Sequence, residues 1–161
     1  MAEKNAKGEG QLASFLPYQL SVASNAVSSL IAERYRKRFG LKIPEWRVIA
    51  VLGDAMARGQ AVTQRALTSA TLMDKVAVNR ACKVLEDRGL VTRAPNQEDG
   101  RSHLLQLTPE GRSIHEEVMP LALATERELF KGFDAAEQEQ FRALLERMRQ
   151  QAADLAQTRN G

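Results

Sequence analysis

Lys75, Asn79, Arg80 and Lys83 fall within one short stretch, spaced so that at 3.6 residues per turn they project from one side of a helix. These side chains suit recognition rather than catalysis. Asn and Arg make bidentate hydrogen bonds to adenine and guanine edges, and Lys and Arg neutralise phosphates. A solvated charged helix face has the same composition, so the helix alone does not decide between the two. The segment behind it does: "NQEDGRSHLLQLT" carries Asp99, Gly100 and Arg101 at the tip of a hairpin-like segment. An exposed ion pair there would contribute only about 0–1 kcal/mol to stability. Beside a helix lying in the major groove, a protruding Arg101 reaches the adjacent minor groove, whose negative potential attracts arginine. Asp99 is expected to orient the Arg101 guanidinium by a charge-assisted hydrogen bond, and Gly100 to let the backbone approach DNA closely.

Other reactive residues carry less. Cys82 falls on the apolar stripe Val78, Ala81, Cys82, Leu85, where a thiol is inert rather than a redox sensor. His103 and His115 stand without a Cys or carboxylate cluster, so no metal site is expected. His103 belongs to the hairpin, and His115 to a helix surface or interface. "RYRKR", Arg34 to Arg38, is a basic helix end; it serves either the helix dipole or as an anion site for ligand or DNA phosphates. There is no nucleophile elbow, P-loop or metalloprotease helix, so neither an enzyme nor a cofactor is expected.

The elements that must position these residues can be read from periodicity. Leu16, Leu20, Ala23, Val27, Leu30 or Ile31, and Tyr35 make one apolar face of a long helix beginning near Pro17 and ending at Gly40. Pro44 and Glu45 start a second helix bearing Trp46, Ile49, Leu52 and Met56, closed by Gly59. Thr63 caps a short third helix with Ala66, Leu67 and Ala70, and Asp74 caps the fourth, which ends at Gly89. The period then becomes two: "LVTRAP" and "SHLLQLT" are expected as a pair of strands. Thr108-Pro109 restarts a helix that Pro120 should kink. Asp134 and Glu137 open the last helix, whose Phe141, Leu144, Leu145, Met148, Ala152 and Leu155 form a coiled-coil-like seam.

Three short helices and then a hairpin give a mainly α fold with a small β-hairpin wing, a winged helix-turn-helix flanked by N- and C-terminal helices. The 161 residues suit one domain with helical extensions, and an apolar content of 43% supports a packed core. The net charge of +3 permits an anionic partner without requiring one. A single cysteine excludes an intrachain disulfide, and "MAEKNAKGEGQ" has no apolar signal core, so a cytoplasmic protein is expected, with residues 1–11 as a flexible tail. Residues 41–108 are assigned to the DNA-binding lobe, and 12–40 with 109–157 to a dimerisation region.

The stretch "MDKVAVNRACKVLEDRGLVTRAPNQEDGRSHLLQLTPEGR" resembles the core of the multiple-antibiotic-resistance regulator (MarR) family: a D-K opening, a V-x-R helix, L-E-x-x-G-L, a D-x-R wing and L-T-x-x-G, in order. The resemblance covers roughly residues 12–156. It implies a homodimer whose affinity for a pseudo-palindromic operator is changed by a small ligand, with the first, fifth and sixth helices at the dimer interface. It places Lys75, Val76, Ala77, Asn79, Arg80, Lys83, Asp99 and Arg101 at DNA. Val76 and Ala77 stand where the family often has Ser or Thr, and Gly100 where many members carry a second Arg. The segment from Phe15 to Val48 is similar to members controlling aromatic-acid catabolism. That likeness implies a repressor released by an aromatic carboxylate or its CoA thioester, in a pocket near Asn25, Ser28, Trp46 and Arg47, with Arg34 and Arg38 as further anion ligands. Trp46 serves equally as core. The rival readings are a protein-binding helical module and a sequence-tolerant architectural DNA binder.

Overall fold

The computed structural model describes residues 11–159. Most of the segment expected to be a tail, residues 1–10, lies outside that range, and Gln11 instead begins a short helix, α1 (Gln11–Ser14). The chain continues through α2 (Leu16–Phe39), α3 (Ile43–Ala57), β1 (Val62–Thr63), α4 (Gln64–Thr71), α5 (Lys75–Asp87), β2 (Val91–Pro95), β3 (His103–Leu107), α6 (Pro109–Leu129) and α7 (Ala135–Arg159). It divides into two compact units after Ala122, within α6. No helix among the described residues is long and apolar enough to cross a membrane.

The local signals produce these elements for identifiable reasons. Gly40, at φ 62°, takes the left-handed position that ends α2, and its N–H returns to the Arg36 carbonyl. The buried Glu45 carboxylate accepts from the Lys42 N–H at 2.9 Å, half of a capping box that starts α3. Thr63 Oγ1 accepts from the Ala66 N–H, and Asp74 Oδ1 from the Ala77 N–H at 2.8 Å, capping α4 and α5. Asp134 and Glu137 exchange side-chain and backbone bonds of 2.8 Å at the start of α7. The α6 helix runs on through Pro120. Leu72 holds an unforeseen backbone state: φ 50° in a non-glycine residue, closing α4 through its N–H to the Thr68 carbonyl at 3.0 Å.

The sheet has three strands in the order β1-β3-β2, not the two expected. Val62 and Thr63 pair with Leu105 and Leu104 on one edge of β3, while Val91 to Pro95 pair antiparallel with Leu107 to His103 on the other. Two residues are too few to show an alternating period, so β1 is invisible to pattern reading. It ties the wing back to the root of α4.

The core of the first unit gathers Tyr35, Leu41, Val48, Ile49, Leu52, Leu67, Val78, Cys82, Leu85, Leu90, Leu105 and Val118. The stripe expected on α5 is there: Val78, Ala81, Cys82 and Leu85 are all buried. On α4 only Leu67 is buried; Ala66 and Ala70 face solvent. The apolar seams of the long helices behave differently. Leu16, Leu20, Val27 and Leu30 of α2 are exposed, as are Phe141, Leu144, Leu145, Met148 and Leu155 of α7.

Candidate nucleic-acid interface

Burying one stripe of α5 turns the other outward. Lys75, Val76, Asn79, Arg80 and Lys83 are exposed, with Val76 at 65%, while Ala77 is half-buried behind the Asp74 cap. The outward cations are not equivalent. Lys83 is held by Asp87 at 2.7 Å, one turn on, and this partner raises the pKa of its ammonium. Among the described residues Lys75 and Arg80 have no carboxylate partner, nor has Arg65 on α4. Arg65 and Lys75 line one shallow cleft with Gln64, Thr68 and Ser69, so α4 and the start of α5 share a cationic surface. Reading the fourth helix alone misses Gln64 and Arg65. The available signal was their place directly after the Thr63 cap, on the helix that crosses the backbone in a helix-turn-helix.

The wing tip is built by its own side chains. Asn96 N–H donates to the Ser102 carbonyl at 3.0 Å, and Asn96 Nδ2 to Ser102 Oγ at 2.9 Å, closing the neck. Asn96 Oδ1 accepts from the Glu98 N–H and Asp99 Oδ1 from the Arg101 N–H, each at 3.1 Å. Asp99 therefore does not orient the Arg101 guanidinium. Its carboxylate folds the backbone in an Asx turn, and the guanidinium is left without an ion pair among the described residues. Gly100 has no positive φ, and a Cβ added there would meet nothing within 4 Å, so the tip conformation does not require glycine. From the middle of β2, Arg93 grips Glu86 of α5 through two bonds of 2.9 and 3.1 Å, fixing wing to helix.

The expected effector residues are only partly brought together. Trp46 is core: it lies between Tyr35, with ring centroids 5.5 Å apart, and His115, at 6.1 Å. Arg38 pairs with Glu117 of α6, and its guanidinium lies 5.1 Å from the Phe39 ring, so it is not a free anion ligand. Arg34 lines a concavity of α2 with Glu33, Arg36 and Lys37. The run divides by partner: Glu117 of α6 engages Arg38, while Arg34 makes no ion pair among the described residues. What remains is Arg47, half-buried, donating to Ser28 Oγ at 3.2 Å, with Asn25 one turn earlier on α2.

Cys82 is fully buried, and that burial pushes its pKa up to about 11. His103 is exposed on β3. His115 is half-buried; its ring lies close to Gly53 and stacks on Trp46, and burial lowers its pKa. Among the described residues no group of three or more His, Cys, Asp or Glu could hold a metal ion.

A MarR family profile matches residues 39–102. The chain is 31% identical over 130 residues to the uncharacterized HTH-type transcriptional regulator YwoH of Bacillus subtilis, covering 79% of this chain and 91% of that one. It is 28% identical to the HTH-type transcriptional repressor IacR of Pseudomonas putida, over 71% of this chain and 66% of that protein. A MarR/EmrR family regulator from Acinetobacter sp. ADP1 superposes with a TM-score of 0.81 at 26% identity, covering 90% of this chain and 99% of the other. A MarR family regulator from Listeria monocytogenes, solved with a 26mer DNA, shares the fold at a TM-score of 0.75 and 21% identity, over 84% and 87% of the two chains.

Proposed function

The chain belongs to the MarR family of transcriptional regulators, and from that premise we propose that it is a homodimeric, ligand-released repressor. It is a DNA-binding regulator and not an enzyme. In the proposed complex α5 lies in the major groove, with Lys75, Val76, Ala77, Asn79 and Arg80 against bases and phosphates. Lys83, already paired with Asp87, is the weakest member of the set. Arg65 adds a phosphate contact from α4, and Arg101 enters the minor groove from the wing. The observation that carries this reading is the distribution of partners. Among the described residues Arg65, Lys75, Arg80 and Arg101 have no carboxylate partner, while Arg58, Lys83 and Arg93 of the same lobe are matched to carboxylates. Surface cations left unmatched on a recognition element suit a polyanion.

The exposed seams of α2 and α7 support dimerisation, since apolar faces that open are usually interfaces. A two-fold dimer binds a pseudo-palindrome with half-sites about 10 bp apart. Repression rests on the likeness to a protein named a repressor. For the effector, the half-buried Arg47 has the Ser28 hydroxyl as its partner and no carboxylate among the described residues, so an acid would complete it. That favours an aromatic carboxylate at Arg47, Ser28 and Asn25, or a phosphate of its CoA thioester at Arg47, and leaves Arg34, Arg38 and Trp46 out of the site.

A gel shift of the full chain with the DNA upstream of its own gene tests the first part. Specific binding should survive competitor DNA, because specific sites win by about 10³-fold or more. Equal competition by random DNA would leave an architectural binder, and no shift at all a protein-binding module. Adding a panel of aromatic acids and thioesters should release the DNA. DNA should weaken ligand affinity by the same factor, and Arg47→Met should abolish the response. A panel that gives neither release nor a thermal shift removes the effector assignment.

A further inference from the structure

Gln64, the first residue of α4, is half-buried, and its Nε2 donates to Oδ1 of Asn79 at 3.3 Å. The two residues lie on different helices, and this bond joins the helix that precedes the turn to the outward face of α5. It limits what Asn79 can read. An asparagine free of other partners recognises adenine with both ends of its amide: the carbonyl accepts from N6, and the NH2 donates to N7. Here the carbonyl is drawn back toward α4, and the NH2, with its two donors, is the end left outward.

We propose that Gln64 is a specificity-determining positioning residue, which holds the Asn79 carbonyl and so leaves the Asn79 NH2 to read base edges that present acceptors, guanine foremost. Guanine offers two adjacent acceptors in the major groove, N7 and O6, which match the two N–H groups. Thymine offers O4 alone. Adenine sets its N6 donor beside N7, where the NH2 would meet donor against donor. The preference expected from Asn79 by itself is thereby displaced from adenine by a residue that touches no base.

Gln64 is also suited to the role by what it lacks. It contributes nothing to the apolar core, and its neighbour Thr68 bonds to the Gln64 backbone carbonyl, at 3.0 Å, rather than to its side chain. The side chain can therefore be changed without disturbing packing.

The inference rests on the reading of α5 as the helix in the major groove, and the test separates the two. Full-length wild type, Asn79→Ala, Gln64→Leu and Gln64→Glu are each used to select from a pool of double-stranded oligonucleotides with a randomised core, and the bound fractions are sequenced. Asn79→Ala should flatten the preference at one base pair per half-site, which marks the position Asn79 reads. Wild type should select guanine there. Gln64→Leu frees the amide and should move the preference toward adenine by about fivefold or more. Gln64→Glu can only accept, so it draws the NH2 inward, turns the carbonyl to the groove and should favour the donor-bearing adenine or cytosine. A role of Gln64 in folding or in phosphate binding would lower affinity for all sequences alike and leave the base unchanged. If wild type enriches no sequence, the assignment of α5 fails and the inference with it. If wild type enriches a sequence but Asn79→Ala flattens no position, or both Gln64 variants keep the wild-type base, the inference alone is overturned.

Discussion

Replacing Gly111 by alanine should destabilise the protein, although the residue lies in the first turns of a helix, where alanine is ordinarily better by about 0.8–1.0 kcal/mol. Gly111 is buried where α6 leaves the wing. A Cβ built on it falls far inside contact with the Leu90 carbonyl oxygen, with the Leu90 carbonyl carbon at 3.0 Å and Leu107 Cδ2 at 3.3 Å. The obstacle is backbone, not the end of a flexible side chain. The Leu90 carbonyl is also engaged, accepting from the Thr108 N–H at 3.1 Å, while Thr108 Oγ1 donates to the Gly89 carbonyl at 2.8 Å and accepts from the Gly111 N–H at 3.0 Å. To reach ordinary contact, α6 and the start of β2 must part by about 1–1.5 Å. Overpacking of this kind costs about 1–3 kcal/mol, with the upper end expected against a rigid carbonyl, and stretching the Thr108 bond adds about 1 kcal/mol. Helix propensity offsets about 1 kcal/mol of that. The net is a loss of about 2–3 kcal/mol, or about 4–12 °C in Tm for a chain of this size. The assay is thermal and urea denaturation at one fixed protein concentration, since a dimer's stability depends on concentration. Gly100→Ala is the control: nothing lies within 4 Å of its Cβ, and its φ is not positive, so Tm should hold or rise slightly. A Gly111→Ala protein as stable as wild type, or more so, would refute the packing on which the estimate depends.

Arg101→Ala should weaken operator binding by about 1–3 kcal/mol with an unchanged Tm; Asp99→Asn, whose amide oxygen can still accept from the Arg101 N–H, should bind at least as well as wild type, and Asp99→Ala less well. Tighter binding by Asp99→Ala in a low-salt gel shift would show that charge, not the turn, governs the tip. Burial holds His115 below its usual pKa against the opposing pull of Glu116 and Asp54, so the unfolded chain takes up a proton that the folded chain refuses. Stability should be complete above a pH of about 6.5 and decline as pH falls below it; melting curves of His115→Gln should lack that part of the decline. Cys82, with its thiol at about pKa 11 and no exposed surface, should not react with a thiol reagent in the native state at a pH of about 8, below even an unperturbed thiol's value, and peroxide should leave DNA binding intact; rapid labelling before unfolding would contradict this. Leu145→Glu with Met148→Glu, both at exposed positions of α7, should give monomers by sedimentation that no longer bind the operator.

Local chemistry, legible in the chain itself, determined the elements and their ends. Thr63, Asp74 and Asp134 cap their helices, Gly40 and Gly89 take positive φ where helices stop, and Val78, Ala81, Cys82 and Leu85 turn inward together. Each depends on residues within a turn or two of one another, so spacing suffices to find it. Contacts between distant segments settled the rest. The strand β1 exists only because Val62 and Thr63 meet Leu105 and Leu104. Asp99 and Arg101 were rightly placed at the wing tip, but whether the carboxylate took the guanidinium or the backbone N–H depended on the folded turn, and the nearer, fixed amide won. The basic run from Arg34 to Arg38 was one feature in the sequence and was divided in the fold, because Glu117, distant in the chain, engages Arg38 while Arg34 lines a concavity with Glu33, Arg36 and Lys37. The place of Gln64 after the Thr63 cap was legible in one dimension, but its bearing on Asn79 was not; that arises from the packing of α4 against α5, which brings residues fifteen apart within a hydrogen bond.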